Sequence, residues 1–221
     1  MSVVVVIPTL NAAATLTATL AALGRAVRVV VADGGSTDET VALARQAGAT
    51  VVTAPAGRGP QLAAGAASAT EDWLLFLHAD TRLGVGWRDA VERFIGDPAN
   101  ATRAGYFRLR FVSDHPASRR VERMATWRAS VLGLPYGDQG LLIARRFYEE
   151  IGGFRFLPLM EDVDLVRRIG RARLRALPVE AMTSAVRYER DGWWLRPMRN
   201  LACLSLYFAG VPPHVIRRLY G

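Results

Sequence analysis

Val3–Ile7 is an unbroken β-branched run, Arg28–Ala32 repeats it behind one leading charge, and Trp73–Leu77 is apolar throughout. Runs without polar alternation are expected of strands buried on both faces of a parallel sheet. Helical stretches lie between them. One is predicted from an Asn11 cap to about Leu23 and one from Ser36 or Thr37 to near Gly48. A short third strand at Thr50–Thr53 and a Gly/Pro loop at Pro55–Pro60 precede an Ala-rich helix. This strand–helix alternation predicts a doubly wound α/β sheet. Ligands bind such sheets at the carboxyl ends of the strands. Pro8-Thr9, Asp33-Gly34-Gly35, the 55–60 loop and His78-Ala79-Asp80 all fall there.

From about Arg103 the rhythm changes. A helix over 86–95 precedes the change, and after it Gly105–Val112 alternates like a half-exposed strand and Ala117–Leu132 reads as a helix. The Gly/Pro-rich segment Gly133–Gly140 precedes a strand-like Leu141–Ala144. A further helix is predicted from Glu161 to about Arg171, and residues 195–220 are amphipathic. No repeat or linker interrupts the chain, so one domain over 1–221 is expected.

Composition adds a bias. Of the 221 residues 51% are hydrophobic, enough for a sizeable core, and the formal net charge is +8 with no Lys at all. Residues 1–110 carry 10 Arg against 9 acids, and residues 111–221 carry 18 against 11. An Arg-rich half suits phosphates, nucleic acid or anionic headgroups, although ordinary solvated Arg from a GC-rich gene gives the same count. Neither Arg119-Arg120 nor Arg167-Arg168 extends into a basic tract with interleaved aromatics, so no nucleic-acid partner is expected. The lone Cys203 sits in an apolar stretch, which points to a reducing compartment. The longest apolar stretch, Leu201–Val211, is too short to span a bilayer, and no signal segment opens the chain. A soluble, cytoplasmic protein is expected, or one peripheral to the inner face of the membrane through Trp193-Trp194 and Leu201–Val211.

Several acids stand out. Asp33 ends the second strand, where it could accept hydrogen bonds from a base or ribose, or serve the helix-capping loop that follows. Asp80 follows the apolar run Trp73–Leu77. It suits a divalent ion bridging two phosphates, with a capping role for the next helix as the other reading. His78 would point to the same side of an extended chain, as a ligand favouring Mn2+ or as a hydrogen-bonded core histidine. Glu161, Asp162 and Asp164 open a helix, where the macrodipole stabilises acids anyway. A general base there must gain basicity from partial burial. Tyr136-Gly137-Asp138-Gln139-Gly140 could hold sugar or acceptor hydroxyls, or form a tight turn.

Together these pieces resemble family 2 glycosyltransferases of the GT-A fold, a Rossmann-like, mostly parallel sheet flanked by helices. The matching segments are Val5–Asn11, Val31–Asp38, Phe76–Thr81, and Gly152-Gly153-Phe154 followed by Glu161-Asp162-Val163-Asp164-Leu165 and Arg168, in the family order over residues 1–180. The chain is also similar to a bacterial subgroup labelled arsenosugar-biosynthesis-type. That likeness rests on Arg58-Gly59-Pro60-Gln61-Leu62, the His-Ala-Asp triplet, Gly137–Gly140 and Pro158–Asp162. The resemblance implies a nucleotide-sugar-binding half over 1–100 and an acceptor half with C-terminal helices over 101–221. It implies that Pro8, Thr9 and Asp33, with Arg58, hold the donor nucleotide. Asp80 would bind Mn2+ or Mg2+ on the diphosphate, with His78 standing where the family has Asp. Asp162 would be the base of an inverting displacement, and Asp138, Gln139 and Glu161 would meet sugar or acceptor. The acceptor, small molecule or lipid, and the oligomeric state stay open.

A nucleotidyltransferase would carry a Gly-rich phosphate loop after the first strand, and a dinucleotide-dependent oxidoreductase Gly-x-Gly-x-x-Gly. Pro8-Thr9-Leu10-Asn11-Ala12 is neither. The remaining alternative is an inactive form of the same fold that binds a nucleotide sugar or a membrane surface.

Overall fold

The computed structural model describes residues 2–220. Strands β1 (Val3–Thr9), β2 (Arg28–Asp33), β3 (Thr50–Thr53) and β4 (Trp73–Phe76) form where the apolar runs predict them. They lie in the order β3-β2-β1-β4, all parallel. Val4, Val5, Val6 and Ile7 are fully buried, as a strand covered on both faces requires. The crossovers are α1 (Ala13–Leu23), α2 (Thr40–Gln46) and α3 (Arg58–Ala67). Helix α3 comes close to β1 because Gly65 has no side chain, and a Cβ there would strike Val6.

Two helix starts differ from expectation. Asn11 does not cap α1: it takes a left-handed backbone, φ 50°, and its Oδ1 accepts the Thr37 N–H at 2.9 Å. Helix α2 begins at Thr40 rather than Ser36, because Ser36 is spent on Asp33 while Asp38 accepts the Thr40 N–H at 3.0 Å. At α1 a loop-to-loop hydrogen bond displaces the cap, and at α2 short-range side-chain-to-backbone bonds hold the preceding turn out of the helix.

The second half extends the same sheet. Strand β7 (Leu141–Ala144) is antiparallel to β4, and β6 (Ala104–Val112) is antiparallel to β7. Next to β6 runs β8 (Leu174–Ser184), parallel to it, and β5 (Thr81–Leu83) closes the edge antiparallel to β8. Only β5 and β7 run against the other strands, so the sheet is mostly parallel. Neither β5 nor β8 was predicted. The first has three residues, and the second contains Pro178, which argues against a strand interior. The register accommodates that proline. Tyr106 pairs with Ala176 but Arg108 with Glu180, so four positions of β8 oppose two of β6 and the chain bulges around Pro178.

Helices α4 (Trp87–Gly96), α5 (Pro116–Leu132), α6 (Arg145–Glu150), α7 (Glu161–Ile169), α8 (Val186–Asp191), α9 (Leu195–Phe208) and α10 (Pro213–Tyr220) complete the chain. A second, smaller core joins β6 to α5, to α8 through Tyr188, and to Trp193 in the α8–α9 connection. In it Phe111 meets Trp193 edge-on, ring centroids 5.5 Å apart. Trp193 is therefore a core residue and not a membrane-facing one, whereas Trp194 is exposed with the Arg120 guanidinium over its ring at 3.4 Å. Asp191 binds Arg196 at 2.5 Å and Arg199 at 2.7 Å, which fixes the corner between α8 and α9.

Candidate active site

The acidic run at the start of α7 splits into three tasks, because successive helical residues point about 100° apart. Asp164 turns inward and accepts from Arg168 Nη2 at 2.6 Å and Nε at 3.0 Å. Arg168 in turn donates to the carbonyls of Ile151 at 2.5 Å and Gly153 at 2.6 Å. The Gly152-Gly153-Phe154 turn, left-handed at both glycines, is thereby tied to α7. Glu161 lies beneath Arg58, whose Nε is 3.1 Å from its carboxylate. Burial pushes the Glu161 carboxyl up to about 7, against the pull of Arg58 and with help from the neighbouring Asp162. Asp162 faces the cleft, and its Oδ2 accepts the Gly137 N–H at 2.8 Å.

Opposite Asp162 the chain leaves β4 at Phe76 and turns, the Thr81 N–H donating to the His78 carbonyl at 3.2 Å. This turn, not an extended chain, is what brings His78 and Asp80 to one side. Asp80 is not a helix cap, since α4 starts at Trp87 behind an N-cap at Gly86. It is held by the unpredicted strands: the Ser184 N–H donates to its carbonyl at 3.2 Å, and Thr81 Oγ1 meets Thr183 Oγ1 at 2.5 Å. Burial, and then the charge of Arg58, press the His78 imidazole down to about 4, although Asp80 and Asp162 oppose this. The ring is neutral at physiological pH. Gly137 backs onto it so closely that a Cβ there would lie 2.5 Å from Nε2. Burial raises Asp138 to about 6 against Arg128, with Asp162 and Asp80 adding to the rise. Its Oδ1 is buried with no hydrogen-bond partner.

Arg58, His78, Asp80, Asp138 and Asp162 line one cleft of about 100 Å³. Its far wall consists of residues the sequence reading missed: Thr183 and Ser184 from β8, Arg187 and Tyr188 from α8, Arg196 and Asn200 from α9. Nothing local marks them, since they reach the cleft only through the pairing of β8 with β5 and the α8–α9 corner.

Pro8, Thr9, Asp33 and Gln139 do not line the cleft. Pro8 and Thr9 end β1. Asp33 is 4% exposed. Its Oδ1 accepts from Thr9 at 2.9 Å and the Ser36 hydroxyl at 2.5 Å, and its Oδ2 from the N–H groups of Gly35 at 2.9 Å and Ser36 at 2.8 Å. Burial would raise this carboxyl, but the hydrogen bonds, led by Ser36, hold it below the usual range. Gln139 is 1% exposed and spends its amide on the Phe107 carbonyl at 3.1 Å and the Tyr136 N–H at 3.3 Å. Gln61, unremarked among the site residues, is buried and donates to the carbonyls of Thr9 at 2.5 Å and Ala32 at 2.9 Å, and its Oε1 accepts the Gly57 N–H at 3.2 Å. It ties the β1 and β2 ends to the loop that carries Arg58.

Among the described residues no group of three or more His, Cys, Asp or Glu is placed to hold a metal alone. Asp80 beside a neutral imidazole fits a different arrangement, in which a divalent ion takes one carboxylate and completes its shell with phosphate oxygens and water.

The family model for glycosyl transferase family 2 matches residues 4–149, well over half of the sequence. The chain belongs to glycosyl transferase family 2. Uncharacterized glycosyltransferases of Mycobacterium bovis and Mycobacterium tuberculosis are 38% identical to this family 2 chain over 86 residues, 38% of it and 39% of each relative. The match thus spans about two fifths of those relatives' length. The fold is similar to that of glucosyl-3-phosphoglycerate synthase from M. tuberculosis, solved with Mn2+, UDP and glucosyl-3-phosphoglycerate. There the TM-score is 0.59 at 18% identity, over 82% of this chain and 70% of that one. It is also similar to TarS of S. aureus with UDP-GlcNAc, TM-score 0.62 at 17% identity over 83% and 59% of the two chains. A third similar structure is a mannosyltransferase from Pyrobaculum calidifontis with GDP-Man and Mn2+, TM-score 0.63 at 18% identity over 91% and 60%. At such identities the likeness shows the GT-A fold alone.

Proposed function

We propose that this chain is an inverting glycosyltransferase moving a sugar from a nucleotide diphosphate sugar to an acceptor hydroxyl, with Asp162 as general base. The observation that carries the reading is the convergence of Asp80, His78, Arg58 and Asp162 on one cleft beside the carboxyl end of β4. Family membership supports it, as do UDP- and GDP-linked ligands in structures of similar fold.

In this reading residues 1–100 hold the donor and 101–221 the acceptor. Asp33 orders the Gly34–Ser36 loop so that the ends of β1 and β2, with Pro8 and Thr9, receive the nucleoside. Arg58 reaches the diphosphate, and Glu161 positions Arg58. Asp138, with its unpartnered oxygen, meets sugar or acceptor, and Gln139 shapes its loop. Asp80, assisted by His78, would hold Mn2+ or Mg2+, and a bound ion would supply positive charge to the departing diphosphate. The acceptor oxygen attacks the anomeric carbon as the bond to diphosphate breaks, and Asp162 takes its proton. Arg58–Leu62, His78–Asp80 and Pro158–Asp162 support a place in the arsenosugar-biosynthesis-type subgroup, a label that fixes no acceptor. No helix among the described residues is long and apolar enough to cross a membrane.

The test is binding and slow hydrolysis of a panel of nucleotide sugars, with and without Mn2+, on wild type and Asp80→Ala. The expected result is metal-dependent binding of one donor, lost in the variant. If no donor binds and metal changes nothing, a non-catalytic binding module replaces this reading.

A further inference from the structure

Between α5 and α9 lies an open groove of about 420 Å³, within the roughly 300–1,000 Å³ of small-molecule sites. Met124, Trp127, Leu132, Met198, Leu201 and Leu204 form its walls. Met124 and Leu201 are each 53% exposed and Trp127 57%, so large apolar side chains gather here on the surface. Arg120, Arg123 and Arg128 stand on its α5 side. The groove adjoins the cleft, and Tyr136, Tyr188 and Asn200 line both. At that junction Asn200 Oδ1 is buried and accepts no hydrogen bond, which is costly unless a ligand donates to it.

We propose that the acceptor is an amphiphile with one long apolar chain and a hydroxyl-bearing anionic head. This rests on the transferase reading above. The chain lies in the α5–α9 groove, the head passes the arginines and Asn200, and its hydroxyl reaches Asp162. A flat membrane would meet a convex face, whereas this surface is concave and shares a wall with the reacting cleft. A protein helix would fill the groove without placing a hydroxyl at Asp162. The transfer balances: the hydroxyl proton goes to Asp162, the oxygen bonds to the anomeric carbon, and the nucleoside diphosphate leaves with the electrons of the broken bond.

Calorimetric titration of the full chain with monomeric dodecyl phosphate and octyl phosphate tests the proposal. The expected result is one saturable site, about tenfold or more tighter for the dodecyl chain, because each buried methylene adds affinity. Met124→Ser and Leu201→Ser replace half-exposed side chains, and circular dichroism checks their fold. Each should weaken dodecyl phosphate about threefold or more and leave nucleotide-sugar binding unchanged. Equal affinity for the two chain lengths, or unchanged affinity in both variants, overturns the proposal. So does pelleting with phosphatidylglycerol vesicles without binding of the monomeric probe, which assigns the face to surface adsorption. The two failures are distinct: donor turnover without chain binding sinks this proposal alone, and chain binding without any donor sinks the transferase reading.

Discussion

Arg58 Nε lies 3.1 Å from a carboxylate oxygen of Glu161, a residue only 1% exposed. The contact is an ion pair without hydrogen-bond alignment, and both Glu161 oxygens are buried with no hydrogen-bond partner. Glu161 thus holds the cleft arginine by charge alone, at the cost of a buried carboxylate.

That cost has a pH signature. The folded carboxyl titrates near 7 against an ordinary value of 4.5. Between those values the folded protein keeps a proton that the unfolded chain has released, so this group's contribution to stability falls as pH rises from about 4.5 to about 7. Glu161→Gln lacks the term. Urea unfolding at several pH values should show the variant gaining on wild type across that window, and a constant difference would refute the burial argument.

Asp162→Asn keeps an oxygen for the Gly137 N–H but cannot take a proton. Transfer should fall by about 10²–10⁴ while the donor dissociation constant stays within about threefold of wild type. Single-turnover transfer beside donor titration separates the two. Loss of both together would make Asp162 a donor-binding group.

Gly137→Ala drives a Cβ into the His78 ring. A destabilisation of about 1–3 kcal/mol is expected, with donor binding weakened as His78 and Asp162 are pushed apart. Gly96→Ala is the control: it ends α4, a Cβ there meets nothing within 4 Å, and it should stabilise by about 0.4–1 kcal/mol through the unfolded chain. Thermal melts of both check the prediction.

Asp164→Ala strands Arg168, which is mostly buried against α7 and the Gly152-Gly153 turn. Breaking such a pair costs about 3–5 kcal/mol, seen as a lowered urea midpoint. Activity at low temperature should survive better than in Asp162→Asn, since Asp164 does not line the cleft. Equal loss in the two variants would show that the acids do not divide their tasks.

The sheet was legible where strands are fully buried, because a run such as Val3–Ile7 can satisfy no other environment. Legibility ended at β8, whose Pro178 mimics a break and is absorbed by a bulge that only its partner β6 defines. The site divides in the same way. Asp80 and Asp162 stand out as acids against apolar or helical surroundings, while Thr183, Tyr188 and Asn200 are ordinary in their local context.

By itself the sequence determined the parallel half of the sheet and singled out acids at strand ends and at the start of a helix, because burial and helix periodicity are local constraints on side-chain type. Tertiary structure alone decided which acids face the cleft. Asp33 and Gln139 turned out to be satisfied internally, Glu161 and Asp164 to be paired with arginines, and Asp80 and Asp162 to line the cleft. Pairing between carboxylates and distant donors depends on positions in space, and residue order does not encode those one pair at a time.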